Sequence, residues 1–169
     1  MRFLLISLLL ASSVFAETHE KQPARATTYI AFGPALLSRM NTEDVAYHFA
    51  GAAGWEVGAN ATLKLAGDLT VGQGALFTSA ALAVQAFPFK DDIAPYGEAS
   101  FGYGYAKTGG SGLFSGEGTG GFYTGVGVGA IFFRTYSVNL DLGLRAGFLL
   151  HRNALGHPSL FAFRVGLWF

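Results

Sequence analysis

Seven charged side chains stand out because each interrupts a stretch that is otherwise apolar and glycine-rich: Glu56, Lys64, Asp68, Glu98, Asp141, Arg145 and Arg164. An isolated charge in apolar surroundings is very costly, so these groups have to be paired or hydrated. Four acids and three bases can form a nearly balanced network that plugs an interior, or they can line a gate along a narrow ion path. Other motifs say less. His19, His48 and His157 lack the spacing of metal ligands and read as exposed histidines, so no metal or other cofactor is expected. Gly116-x-Gly118-x-x-Gly121 has dinucleotide-binding spacing, but that motif needs a strand before it and a helix after it. A strand pattern follows here, so the glycines read as a flexible loop with Leu113 and Phe114 at its tip.

The chain that carries these charges has 169 residues, a formal net charge of zero and no cysteine. Only 13 % is charged, against about 25 % in soluble domains. The balanced charge argues against a nucleic-acid-binding module, which would show a basic patch. The 51 % apolar content and 15 % aromatic content argue against a disordered chain. Arg2, the apolar run Phe3–Leu10 and the small residues of Val14-Phe15-Ala16 have the three parts of a secretory signal. The apolar run is too short to span a bilayer, which takes about 20 residues. Residues 1–16 are therefore expected to be a cleaved signal peptide, 17–26 a polar periplasmic segment, and 27–169 the folded domain.

The longest uncharged stretch, Leu69–Phe89, contains Thr70, Gln73, Thr78, Ser79, Gln85 and Pro88, so no window suits a spanning helix. An apolar exported chain without such a helix can still live in a bilayer by closing a β-barrel, because hydrocarbon tolerates no unmade backbone hydrogen bond. The period of the sequence is that of strands. From Val138 to Arg152, Val138, Leu140, Leu142, Leu144, Ala146, Phe148 and Leu150 share one face, while Asn139, Asp141, Arg145 and His151 share the other. This length exceeds that of a usual soluble strand, about five or six residues.

Similar alternation places strands at Tyr47–Val57, Thr62–Val71, Leu76–Pro88, Ala94–Lys107, Gly121–Arg134 and Ser159–Phe169. An eighth, at about Thr27–Leu37, alternates least clearly, and Pro34 fits a strand end or bulge. Eight strands of about ten residues use roughly 80 residues, whereas sixteen would use about 160. The predicted fold is all-β: an eight-stranded antiparallel up-and-down transmembrane β-barrel. Gly58–Ala61, Lys90–Ile93 and Thr135–Ser137 are short enough for periplasmic turns, with longer loops at the other end. Gly72–Ala75 is short for that outer end, which makes the third and fourth strands the least secure pair. The charged residues share the inward face. The interior is small enough for side chains to fill, although glycines 102, 104, 125, 127 and 129 leave room for trapped water.

The run Ala81–Phe89, a short charged turn and Ala94-Pro-Tyr-Gly-Glu-Ala-Ser-Phe-Gly-Tyr-Gly-Tyr105 resemble the middle of small outer-membrane barrels similar to the transmembrane domain of outer membrane protein A. The chain end, Phe161-x-Phe163-x-Val165-x-Leu167-x-Phe169, resembles the C-terminal assembly signal of such barrels. The resemblance implies bacterial outer-membrane location, contact with its lipids and recognition by the barrel-insertion machinery. It implies no chemistry. His151-Arg-Asn153 faintly resembles the active-site region of outer-membrane lipid A deacylases, but Asn153 stands where that family has its serine, and no acid follows Asp141. A hydrolase needs a nucleophile beside its base. The expected role is structural or surface-interactive, for a monomer with no cofactor, no nucleic acid and an unspecified surface partner. A narrow pore for very small solutes is the alternative, and a lipid A-modifying hydrolase comes third.

Overall fold

In the computed structural model the described residues are 26–38, 46–57, 60–89, 91–109, 117–134, 137–151 and 156–169. They form eight strands: β1 (Ala26–Ser38), β2 (Ala46–Glu56), β3 (Ala61–Gly72), β4 (Ala75–Ala86), β5 (Ile93–Thr108), β6 (Glu117–Phe132), β7 (Asn139–Leu149) and β8 (Ser159–Trp168). Each pairs antiparallel with its neighbour in sequence, and β1 pairs with β8, so the sheet closes into a barrel. Closure removes the unpaired edges that an open sheet would present. No helix among the described residues is long and apolar enough to cross a membrane, a statement that does not bear on strands.

Side-chain parity separates two environments. On β7, Asp141, Gly143, Arg145, Gly147 and Leu149 are buried, whereas Leu144 is 58 % exposed. Phe32, Phe101, Phe122 and Val128 likewise point outward around the wall. Such an inverted arrangement, apolar outside and charged inside, has no reason to persist in water but suits hydrocarbon. Inside, two apolar layers bracket the charged residues. One holds Phe77, Tyr123, Leu149 and Leu160; the other holds Tyr29, Phe87, Tyr96, Ile131 and Trp168.

The chain termini of the barrel meet at one mouth, where the Thr28 N–H donates to Phe169 O at 3.1 Å and the Phe169 N–H to Thr28 O at 2.9 Å. The tight connections after β2, β4 and β6 lie at this same end. The β3–β4 pair is continuous from Ala61↔Ala86 to Gly72↔Ala75, closed by Gln73-Gly74 with Gly74 at φ +70°, a conformation glycine adopts without steric cost.

Several strand limits differ from the sequence expectation. β4 ends at Ala86 because the Phe87 N–H turns to Asn60 O, at 2.8 Å, and Pro88 has no N–H to continue a ladder. β6 starts at Glu117 rather than Gly121, since Glu117–Gly120 pair with Tyr105–Thr108 and extend the hairpin into the glycine-rich segment. Pro34 lies inside a continuous strand, not at its end. It pairs with Tyr47 of β2, and the ladder to β8 passes from Phe32↔Val165 to Ala35↔Ala162 without it. Residues 1–16, 17–25, Leu113, Phe114 and Asn153 lie outside the described residues.

Candidate functional site in the barrel lumen

The register of four strands brings the charges together. Glu98 on β5 pairs with Gly127 on β6, and Gly127 pairs with Arg145 on β7. Glycine at the middle position leaves room for the Arg164 guanidinium, whose Nη2 lies 3.6 Å from where a Cβ at Gly127 would stand. Arg145 Nη1 donates to Glu98 Oε1 at 2.9 Å, and its Nη2 lies 2.9 Å from Asp68 Oδ2. The same guanidinium donates to the Tyr123 hydroxyl at 3.1 and 3.2 Å and to Ser100 Oγ at 3.3 Å. Lys64 Nζ donates to Glu98 Oε2, and Arg164 Nη1 stands 3.7 Å from Glu98 Oε1. Glu98 is thus shared by three cations.

Both other carboxylates are held by hydroxyls. Ser79 Oγ donates to Asp68 Oδ2 at 2.8 Å, and Tyr96 Oη donates to Asp141 Oδ1 at 2.8 Å. Arg164 Nη2 donates to the Tyr96 oxygen at 3.4 Å, which ties Asp141 to the same cluster. Lys64 also faces the rings of Tyr29 and Trp168, at 5.6 and 5.1 Å from their centroids. Such cation–π contacts reach full strength when desolvated. Lys64, Asp68, Glu98, Asp141, Arg145 and Arg164 are all buried. Three cations and three carboxylates balance there, and charge-assisted bonds are the stronger class of hydrogen bond.

Glu56 does not join them. Its side chain faces inward but lines a small recess at the mouth where the termini meet, with Thr62, Gln85, Arg134 and Trp168. It sits at the end of β2 that shares this mouth with the chain termini, paired with Thr62 and one inward-facing position from Lys64, and it lines the recess beside Arg134. His48 is also placed differently from the sequence expectation. Instead of being exposed it is fully buried, with Nδ1 2.9 Å from Thr70 Oγ1 and Nε2 3.6 Å from Asp68 Oδ1. Its inward parity on β2 is the cause, and that parity was available in the alternation around Tyr47 and Phe49. His157 is exposed, and no group of three or more potential metal ligands occurs among the described residues.

The interior glycines do not leave empty space. A Cβ at Gly147 would lie 2.7 Å from the Tyr123 ring, and one at Gly143 or Gly129 would lie 2.5 or 2.6 Å from the Tyr96 hydroxyl. The tyrosines from β5 and β6 occupy the volume that these glycines release. They carry hydroxyls into the network, a role the sequence reading missed because it counted charges only. β7 ends at Leu149, short of the expected Arg152, so His151 lies beyond the strand as an exposed residue, with no acid after Asp141 in the chain to orient it. Phe161, Phe163, Val165, Leu167 and Phe169 alternate with inward Leu160, Ala162, Arg164, Gly166 and Trp168, and so form a stripe on the outer wall.

A closed eight-stranded antiparallel barrel with this inside-out polarity has the architecture of the small outer-membrane barrels. Neisserial surface protein A (NspA) superposes with a TM-score of 0.69 and 18 % identity, covering 87 % of this chain and 98 % of its own. Ail, the attachment invasion locus protein of Yersinia pestis, gives a TM-score of 0.56 at 12 % identity, over 88 % of this chain and all of its own. The outer-membrane enzyme PagL gives 0.52 at 15 % identity, over 85 % of this chain and 98 % of its own. At these identities the likeness is one of fold. No protein-family model matches the chain, and no curated protein matches its sequence.

Proposed function

We propose that the protein is a bacterial outer-membrane barrel with a structural or surface-interaction role, its lumen plugged by the polar network. The observation that carries this reading is the sharing of Glu98 by Lys64, Arg145 and Arg164 in a buried cross-section, with Asp68 and Asp141 completing the charge balance. A path for solute would have to break these contacts, and removing one partner from a buried pair costs about 3–5 kcal/mol. The role then belongs to the wall and the outer loops. The stripe ending at Phe169 supports export through the barrel-insertion machinery, and the missing serine at position 153 argues against a deacylase.

Swelling of liposomes that contain the folded protein tests this reading. In isotonic glycine or arabinose, vesicles with the barrel should swell no faster than empty ones. Swelling that rises with the amount of folded barrel would replace the plug with a pore.

A further inference from the structure

Several buried polar atoms without a partner lie at the mouth where the chain termini meet. Gln85 is fully buried, and neither its Nε2 nor its Oε1 has a hydrogen-bond partner among the described residues. Trp168 Nε1 and Thr27 Oγ1 are buried atoms in the same condition. All three side chains line the small recess that Glu56 and Arg134 also border, so their unmet donors and acceptors surround a common space. Register brings them there. Gln85 on β4 pairs with Thr62 on β3, which pairs with Glu56 on β2. Gly54 keeps the space beside them open, since a Cβ there would stand 3.0 Å from Thr27 Oγ1 and 3.2 Å from Thr62 Cγ2. Trp168 comes from β8, on the opposite side of the closed barrel from β4.

The recess measures about 30 Å³, room for about two waters at the ~10–15 Å³ that each needs. Its borders carry one charge of each sign. Arg134 is held in place by the Phe87 ring, 4.1 Å from its guanidinium, and by its bond to Phe89 O at 3.3 Å. Glu56 supplies the negative charge. A cation in the recess would meet Arg134 and the Trp168 N–H, and an anion would meet Glu56 and the Gln85 carbonyl oxygen. A neutral molecule that both donates and accepts satisfies every group present. The indole N–H only donates, the Gln85 amide offers two donors and an acceptor oxygen, and the Thr27 hydroxyl does either.

We propose that this recess is a binding site for two ordered waters, which bridge Trp168 Nε1, the Gln85 amide and Thr27 Oγ1 and so join β8 to β4 across the lumen. Buried water that makes two to four such bonds is part of the structure it completes. The indole keeps water and charge on different sides. Its N–H lies in the plane of the ring, whereas the face of the ring meets Lys64 Nζ at 5.1 Å from the centroid. Trp168 is thereby the partition between a wet mouth and the charged cross-section. The site rests on the reading of the lumen as plugged, since a through-path would flood the recess with exchanging solvent.

The test uses the whole folded barrel in detergent micelles, with isotope-labelled tryptophan indoles. The chain has two tryptophans, so Trp55→Phe assigns the Trp168 signal. Water-selective Overhauser spectra are recorded in the laboratory and rotating frames. A bound water gives peaks of opposite sign in the two, whereas exchange with solvent gives the same sign in both. The Trp168 indole proton should show the opposite-sign pair. Gln85→Met keeps the length of the side chain and removes both amide groups. It should weaken the water peak several-fold while gel migration without boiling shows a folded barrel. Thr27→Val should weaken the peak likewise, and serves if Gln85→Met impairs insertion. No water peak at Trp168 in the wild type, or full intensity in a folded variant, overturns the site. Same-sign peaks would show exchange with bulk solvent and overturn it as well. Spectra in sodium, potassium and choline chloride should coincide. A Trp168 shift that saturates with sodium or potassium but not with choline would assign the recess to a cation instead. Failure of the plug has a separate readout, current steps across a bilayer, whereas failure of the water site alone leaves that baseline flat.

Discussion

Glu98→Gln isolates the electrostatic part of the lumen, because it keeps the volume of the side chain and removes only its charge. In the wild type, Glu98 is the one carboxylate among the described residues that ion-pairs Lys64, and it also serves Arg145 at 2.9 Å and Arg164 at 3.7 Å. The variant leaves three buried cations facing Asp68 and Asp141. Arg145 keeps Asp68 and Tyr123, and Arg164 keeps Tyr96, but Lys64 loses its ion pair and keeps only the aromatic rings and a neutral amide oxygen. The expected cost is that of breaking a buried pair, about 3–5 kcal/mol. With a urea slope of about 2 kcal/mol per molar, within the ~1–3 range of small proteins, the unfolding midpoint should fall by about 2 M. Lys64→Met removes one cation and leaves Glu98 with both arginines. It should cost about 1.5–3 kcal/mol, the net value of a charged hydrogen bond. The double variant restores the charge balance and should cost less than the sum of the two, with a coupling of about 0.5–3 kcal/mol. Urea titration of the barrel in vesicles, followed by tryptophan fluorescence and by gel migration without boiling, measures all three. If Glu98→Gln lies within about 0.5 kcal/mol of wild type, the range of an inconsequential surface change, the cluster is hydrated and the reasoning fails.

Other perturbations address the wall, the packing and the closure. Leu142→Arg places a cation on the outward face of β7 and should cost about 2–4 kcal/mol near the bilayer midplane; wild-type protease resistance in liposomes would reverse the assignment of faces. Gly143→Ala puts a methyl 2.5 Å from the Tyr96 hydroxyl, which already binds Asp141 at 2.8 Å. The overpacking should cost about 1–3 kcal/mol, and an unchanged urea midpoint would show that Tyr96 moves freely. Deletion of Phe169 removes two hydrogen bonds to Thr28 at the closing seam and the end of the outward stripe. Heat-modifiable barrel in outer-membrane fractions should fall sharply, and recovery of wild-type amounts would remove the chain end from the account of assembly.

Face is legible in a strand protein because side chains alternate with a period of two. Val138–Leu150 shows this over its whole length, and the closed topology follows once eight such segments are found. Height along the barrel is not legible. It depends on register between strands far apart in sequence, such as Glu98 with Gly127 and Gly127 with Arg145. For that reason Glu56 shares the inward face of the other charges yet lies at the mouth beside Arg134, while Lys64, one inward position away, pairs with Glu98 instead. Filling of the interior is also non-local: the glycines of β6 and β7 look like gaps until Tyr96 and Tyr123 are placed over them. His48 was misread for a simpler reason, since its exposure was judged from residue type while its strand position already turned it inward. Pro34 obscured the alternation of β1, and with it the inward place of Tyr29 beside Trp168, where the two rings lie 4.7 Å apart.

The claim that the lumen is closed has its most direct test in planar-bilayer recording of the folded protein in molar potassium chloride. The account predicts a flat baseline for the wild type across both polarities, in membranes where gel migration of the recovered protein shows that the barrel is folded. Discrete current steps of uniform size, scaling in number with folded protein and abolished by its denaturation, would show an open path through the charged cross-section and contradict the plug.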